Sequence, residues 1–288
     1  GVTHEIYSGE IHPAWPTLSP ETDFVPVGPW NTDGLVVVAP LLSKSRSRYL
    51  HGLMEAGTPV VFIGSGEGKP AVIADNEEGI YQSIEHLVAH GHRRIAFIAG
   101  YEGEVEGDSA DRLRAYRSAV RTYDLQADPD LIAFGAHQIE GGRRATRKLL
   151  DRGVEFTALL ASNDESAVGA MEVLKAHGRL IPQDVAVIGF DDRLEARAQL
   201  PSLTTVRFPM FELGHRALGL LLERIRGTET SDPVVRVPTQ LIVRESCGCL
   251  AGLATGASLP ERTSLPTVPA RRSRSNLSLS PAQGFDLA

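Results

Sequence analysis

The chain has 288 residues, of which 42% are hydrophobic and 23% are charged. A chain of this length and apolar content can bury a large core and form one large or two medium domains. Its 29 basic and 36 acidic side chains give a formal net charge of −7, which argues against a nucleic-acid interface in this segment. No apolar run reaches the roughly 20 residues that cross a bilayer, so we expect no membrane contact.

Five apolar runs rich in Val, Ile and Ala predict β-strands at residues 35–39, 60–63, 95–99, 158–161 and 185–190. These runs are continuous rather than alternating, which is typical of strands covered on both faces. Helical patterns lie between several of them. The order of elements therefore predicts a parallel, doubly wound α/β protein.

Three helices have clear boundary signals. The first begins near Asn76 after Asp75 and ends at Gly91, the second follows the capping turn at residues 162–164, and the third runs from Met210 to about Gly227. Beyond Cys249 the chain becomes rich in Ser, Pro, Thr, Ala and Arg without apolar periodicity. Residues 250–288 are therefore predicted to be a disordered tail or linker.

Polar turns follow several predicted strands, at the edge where parallel sheets bind ligands. They are residues 108–114, 162–164 and 191–193. Asn, Asp and Arg side chains there could hold the neighbouring hydroxyls of a sugar. The alternative is that the same residues only cap helices and face solvent.

A glycine-rich segment at residues 64–69 follows the strand at 60–63, as a phosphate-binding loop would. The spacing does not fit that motif, and Pro70 stands where Ser or Thr would be needed. We therefore interpret the segment as a surface loop.

Metal and catalytic sites are not expected from the sequence. Cys247 and Cys249 are the two cysteines, too few for a disulfide framework or for a four-ligand zinc site, and His90 and His92 have no third or fourth ligand nearby. Nucleophile-elbow and zinc-protease motifs are missing as well. We expect no metal, no cofactor and no enzymatic activity.

Six phrases in a fixed order resemble the sensor domain of the LacI/GalR family of bacterial regulators. They are ADNEEG at 74–79, HLVAHGHRRIAFI at 86–98, ASND at 161–164, PQDVAVIGFDD at 182–192, LTTV at 203–206 and LIVRES at 241–246. The resemblance covers roughly residues 33–246.

The resemblance implies the periplasmic-binding-protein type I fold, with two α/β lobes joined by three chain crossings. The first lobe would comprise residues 1–74 and 207–236, and the second residues 75–206 and 237–246. Residues 247–288 would form the tail. The effector, a sugar or similar polar molecule, would bind in the cleft between the lobes.

The resemblance also implies candidate effector-binding residues. Arg112 matches the family's effector-binding arginine, Asn163 and Asp191 match an amide and a carboxylate that hold effector hydroxyls, and His137 falls where relatives place an aromatic ring.

The chain departs from the family pattern in its first lobe. Gly64 stands where relatives often carry Asp, which suggests that this lobe contributes less polar recognition. Residues 1–7 look like the second strand of the lobe, and the proline-rich residues 11–30 do not read as its usual helix. We therefore expect a first lobe that is truncated at its amino end, without a DNA-binding helix-turn-helix.

Two functions follow from the resemblance. The first is the sugar-sensing domain of a cytoplasmic, homodimeric transcriptional regulator that contacts DNA only through a domain outside this chain. The alternative is the extracytoplasmic input domain of a histidine-kinase or diguanylate-cyclase protein, because the ending at residues 244–249 is similar to such sensors.

Overall fold

The computed structural model describes residues 28–38, 44–64, 69–228 and 234–249. Their strands are β1 (Leu35–Val38), β2 (Val60–Ile63), β3 (Ala71–Ala74), β4 (Ile95–Ala99), β5 (Ile132–Phe134), β6 (Ala158–Ala161), β7 (Ala186–Asp191), β8 (Thr204–Arg207), β9 (Val234–Val237) and β10 (Gln240–Ile242). Their α-helices are α1 (Lys44–Glu55), α2 (Asn76–Ala89), α3 (Asp108–Thr122), α4 (Ile139–Asp151), α5 (Asp164–Ala176), α6 (Leu194–Arg197) and α7 (Met210–Arg226). Short 3₁₀ helices occupy Pro129–Leu131 and Glu245–Cys247.

The strands form two sheets. One has the order β1-β2-β3-β9 and is parallel throughout. The other has the order β10-β8-β7-β6-β4-β5 and is parallel except for β10, which runs antiparallel to β8. The two sheets confirm the predicted fold class.

The six-stranded sheet is buried on both faces, because successive side chains of each strand enter opposite cores. Phe97 and Leu160 pack with α2 and α3, whereas their neighbours Ile98 and Leu159 pack with α4 and α5. This double burial explains why the strand sequences are continuously apolar. The amphipathic helix α7 covers one face of the four-stranded sheet.

The chain passes between the sheets three times: from β3 into α2, from β8 into α7, and from β9 into β10. Two of these crossings are hydrogen bonded to each other. The backbone N–H of Asp75 donates to the carbonyl of Val237 (2.8 Å), and the Thr239 hydroxyl donates to the carbonyl of Asp75 (2.8 Å). The joined crossings place the start of α2 where the two sheets meet.

Most predicted element boundaries are accurate to one residue. The backbone N–H of Glu78 donates to Asp75 Oδ1 (3.0 Å), and Gly91 and Gly227 adopt φ of 89° and 66° after α2 and α7. One prediction was wrong: residues 108–114 are the first turns of α3 and not an open turn.

The predicted boundaries assign Cys247 and Cys249 to the tail, but both residues belong to the folded body. Cys247 is 4% exposed and belongs to the core beneath α2 and α3, with Cys249 packed against it. These residues remain ordered because they follow directly on β10 and the 3₁₀ helix Glu245–Cys247. Residues 250–288, and residues 1–27 with the expected truncation, lie outside the described residues.

Among the helices in the described ranges, none is long and apolar enough to span a membrane.

The helices α4 and α5 touch backbone to backbone through glycines. A Cβ on Gly169 would lie 2.1 Å from the carbonyl oxygen of Ile139, and one on Gly142 would lie 2.3 Å from that of Ser166. Such distances leave no room for a methyl group. The contact holds the start of α5 against the loop that precedes α4.

We expect Gly169→Ala to lower the free energy of unfolding by about 1 to 3 kcal/mol, because the methyl group forces the helices apart. The matched control is Gly219→Ala in α7, where a Cβ meets nothing within 4 Å. That change should raise stability by up to about 1 kcal/mol through helix propensity. Urea denaturation measures the free energy of unfolding of both variants. Equal changes in this free energy would show that the α4–α5 contact is not tight.

Candidate functional site

The candidate site lies at the carboxyl ends of four neighbouring parallel strands. Arg112 lies in α3 after β4, His137 follows β5, Asn163 follows β6, and Asp191 ends β7. Parallel α/β sheets bind ligands at this edge. Direct contacts among the four, described below, show that the fold brings them together although 79 residues separate Arg112 from Asp191.

Arg112 is the centre of the site. Its side chain is buried, and its guanidinium Nε donates to Asn76 Oδ1 (2.8 Å) while Nη1 donates to the carbonyl of Ser162 (2.6 Å). Nη1 also forms an ion pair with Asp191 Oδ1 (3.4 Å). The guanidinium carbon lies 3.7 Å from the centroid of the Phe190 ring, a cation–π arrangement. These contacts fix the orientation of the arginine before any ligand binds.

Asp191 presents a half-buried carboxylate beside this arginine. Its φ of 122° is rare for a residue with a Cβ, and such conformations concentrate at binding and catalytic sites. Burial raises the pKa of Asp191 to about 6, although the positive charge of Arg112 opposes the shift. Asp191 therefore changes charge within the physiological pH range.

The side-chain amide of Asn163 forms its hydrogen bonds within the protein. Its Oδ1 accepts from the backbone N–H of Ser166 (3.1 Å) and caps α5, and its Nδ2 donates to the carbonyl of His137 (3.0 Å). The structure thus shows the helix-capping alternative for this residue. One N–H of the amide remains for another acceptor.

His137 contributes an uncharged aromatic ring. It has a φ of 57°, and its ring meets Tyr101 edge-on with 5.6 Å between centroids. Burial and the positive charge of Arg112 lower the pKa of His137 to about 4. A Cβ on Gly100 would lie 2.2 Å from His137 Nε2, so only glycine leaves space for the imidazole.

Sequence reasoning missed Asn76 and Phe190 as parts of the site. Asp75 already caps α2, so the amide of Asn76 is free to hold Arg112 and to donate to Asp108 Oδ1 (2.7 Å). The sequence signal for Asn76 was the presence of two adjacent cap-forming residues, Asp75 and Asn76, at the start of one helix. The sequence held no signal for Phe190, because its apolar side chain suits a core strand equally well.

Asp164 holds the turn that follows Asp191 through hydrogen bonds. Its carboxylate is 1% exposed, accepts from the Thr205 hydroxyl (2.5 Å) and from the backbone N–H of Arg193 (2.8 Å), and has a pKa raised to about 7 by burial. Asp164 therefore positions the turn after β7.

Asp192 has a different role from its neighbour Asp191. Its side chain is 3% exposed and forms ion pairs with Arg207 (2.8 Å), Arg197 (3.4 Å) and Arg244. Burial opposes its ionisation, but the hydrogen bonds from Arg244 and Arg207 outweigh burial and lower the pKa of Asp192. Asp192 therefore joins β7, β8 and the segment after β10.

The sequence matches the periplasmic binding protein-like domain over residues 84–247. The HTH-type transcriptional regulator CelR of Thermobifida fusca is 39% identical over 213 residues, which are 72% of this chain and 62% of CelR. The regulator GalR of Salmonella typhimurium strain LT2 is 36% identical over 173 residues, 60% of this chain and 50% of GalR. The chain thus spans about half to less than two thirds of these curated relatives.

Solved structures of regulators resemble the fold. A complex of the transcriptional regulator CelR with cellobiose has a TM-score of 0.68 at 34% identity and covers 74% of this chain and 65% of that one. The lac repressor dimer bound to operator and the anti-inducer ONPF has a TM-score of 0.67 at 26% identity, with coverage of 75% and 64%.

We expect Asp192→Asn to lower the free energy of unfolding by about 1 to 3 kcal/mol at neutral pH, since hydrogen bonds to a charged group are lost. The folded-state pKa of Asp192 is lowered, so its contribution is present above the unfolded value of about 3.9 and is lost as pH falls through the folded value. Urea titrations of the unaltered chain and of Asp192→Asn at several pH values measure the difference between their free energies of unfolding. A difference that stays constant down to about pH 2 would contradict the role of the ionised carboxylate.

Proposed function

The chain belongs to the LacI/GalR family, whose sensor domains have the periplasmic-binding-protein-like fold, and we propose that it senses a small neutral sugar on behalf of a transcriptional regulator. The observation that carries the proposal is the Arg112–Asp191 pair, held over the Phe190 ring at the carboxyl edge of a parallel sheet. A donor and an acceptor fixed side by side match two neighbouring hydroxyls of a sugar ring.

The charges around the site favour a neutral ligand over an anion. Asp191 forms an ion pair with the buried Arg112, and Asp108 is linked to the same arginine through Asn76. A phosphate or carboxylate ligand would have to approach these acidic groups. Sugar hydroxyls donate to carboxylates and accept from the guanidinium without adding charge.

Glucose disaccharides are the first class of ligand to test. CelR, whose complex with cellobiose has the same fold, is 34% identical in sequence to this chain over the structurally aligned residues. The His137 ring and its partner Tyr101 provide an aromatic surface of the kind that packs against a sugar face.

The two sheets would form the two lobes, with residues 1–74 and 207–236 in the first and residues 75–206 and 237–246 in the second. Ligand binding between the lobes would increase the population of a closed state. DNA binding by a segment outside this chain would depend on that state. The lac repressor structure is a dimer on its operator, and we propose dimerisation and action in the cytoplasm for this protein as well.

The role proposed is binding without chemistry. The relatives are transcriptional regulators, which favours this reading over an enzyme and over the input domain of a membrane-linked signalling protein.

We expect Asp191→Asn to weaken cellobiose binding at least about tenfold, because hydrogen bonds from hydroxyls to a charged acceptor are replaced by bonds to a neutral one. Isothermal titration calorimetry of the 288-residue chain measures the change. The same titration is repeated with galactose as a second neutral sugar and with glucose 6-phosphate as an anionic ligand.

The matched control is Asp128→Asn at the opposite end of the same sheet. Asp128 pairs with Arg94 at 3.3 Å and is 31% exposed, against 3.4 Å and 28% for Asp191. The control should bind the sugar as the unaltered chain does. A lowered Tm with an unchanged Kd for Asp191→Asn would leave Asp191 a purely structural residue, and tighter binding of glucose 6-phosphate would contradict the neutral ligand.

Sugar affinity should also fall as the solution is acidified. The pKa of Asp191 is raised to about 6, so the carboxylate is ionised at about pH 8 and mostly protonated at about pH 5. We expect roughly tenfold weaker binding at the lower pH, and no such dependence in Asp191→Asn. If the sugar affinity of Asp191→Asn depends on pH as strongly as that of the unaltered chain, the titrating group is not Asp191.

A further inference from the structure

A cluster of two cysteines and two histidines lies at the end of α2, away from the sugar site. Cys247 and Cys249 follow β10, whereas His86 and His90 occupy the last turn and the carboxyl cap of α2. About 160 residues of chain separate the two pairs, and the fold places them against each other.

The side-chain atoms converge on Cys249. Its Sγ lies 3.3 Å from Cys247 Sγ, 3.1 Å from His86 Nε2 and 3.2 Å from His90 Nε2. The donor atoms of His86, Cys247 and Cys249 all lie within 4.8 Å of one another, and His90 Nε2 lies beside Cys249 but outside this set of three. Ligand atoms of a tetrahedral zinc site with bonds of about 2.0 to 2.3 Å are about 3.3 to 3.8 Å apart, so three ligands need small side-chain shifts and the His90 ring must turn toward them to supply the fourth.

The histidines expose the nitrogen that a metal needs. Nδ1 of His90 lies 2.7 Å from the carbonyl oxygen of His86 and donates to it, which leaves Nε2 as the ring nitrogen that faces Cys249. This backbone hydrogen bond is the usual way in which a metal-binding imidazole is oriented. Burial, together with the neighbouring His90 and His92, lowers the pKa of His86 to about 4, so the His86 ring is neutral.

The thiols are free and close enough to act together. Cys247 is buried and Cys249 half-buried, and burial raises the pKa of Cys249 to about 12. The Cys249 thiol therefore keeps its proton until a cation takes its place. On binding, both protons would leave to solvent, and the two thiolates and two imidazole lone pairs would form the four bonds.

We infer that Cys247, Cys249, His86 and His90 form a zinc site that ties the end of β10 to the end of α2. Two thiolates and two imidazoles are a ligand set that selects Zn²⁺ over oxygen-preferring cations. Four protein ligands leave no open position, so the site is structural and not catalytic.

The test uses the 288-residue chain, reduced with a thiol-free reductant and stripped with a chelator. Titration with Co²⁺ should give one equivalent of a tetrahedral complex with a thiolate-to-cobalt charge-transfer band, and Zn²⁺ should displace it. Zinc analysis after gel filtration should find one ion per chain, and added Zn²⁺ should raise the Tm.

Cys249→Ser should remove about half of the charge-transfer intensity per bound Co²⁺, because one thiolate remains, and should weaken Zn²⁺ binding at least about tenfold. His90→Asn should weaken binding by a similar factor but keep the thiolate band, which preserves the test if the cysteine variant does not fold. His177→Asn is the matched control: His177 caps α5 as His90 caps α2, with Nδ1 2.8 Å from the carbonyl oxygen of Val173, but it is not in this cluster.

The zinc site is excluded if the reduced chain binds neither ion at one equivalent, or if His177→Asn weakens binding as much as His90→Asn. Isolation of a Cys247–Cys249 disulfide in a chain that still binds no metal after reduction would assign the pair to redox chemistry instead. Sugar binding can persist in each case, so failure here does not affect the proposed sensing function.

Discussion

The buried guanidinium of Arg112 is the interaction on which the rest of the site depends. A charge removed from water must be paired and hydrogen bonded, so Arg112 requires a carboxylate and carbonyl or amide oxygens within reach. Asp191 at the end of β7, Ser162 at the end of β6 and Asn76 at the start of α2 meet that requirement. One side chain thereby fixes the relative positions of three elements and leaves a rigid donor–acceptor pair at their common edge.

The polar residues at this edge divide into those that build the site and those proposed to face a ligand. Asn163, Asp164 and Asp192 use their oxygens on helix caps, backbone N–H groups and arginines. Asp191 and His137 lie beside Arg112, and their backbones adopt positive φ as that of Asp192 does. The first group provides the stability that holds the second group in place, which is a common division of labour at binding sites.

Helix α2 connects three regions of the molecule. Its start lies at the joined crossings between the sheets, its first residue holds Arg112, and its last turn carries the histidines that meet Cys247 and Cys249. A metal at that end would restrain the helix that contacts the sugar site at the other. The proposed ligand and metal sites would thus be linked through one rigid element while depending on different side chains.

The sequence by itself determined the elements and the sheet type. Continuous apolar runs such as residues 158–161, with caps at Asp75 and Asn163 and glycines at 91 and 227, locate strands and helices because their signals are local. The family resemblance added the four candidate site residues. Tertiary structure alone decided which partner each side chain has. It showed Asn76 and Phe190 around Arg112 and placed Cys249 beside His86, because contacts across 163 residues depend on packing that no local pattern encodes.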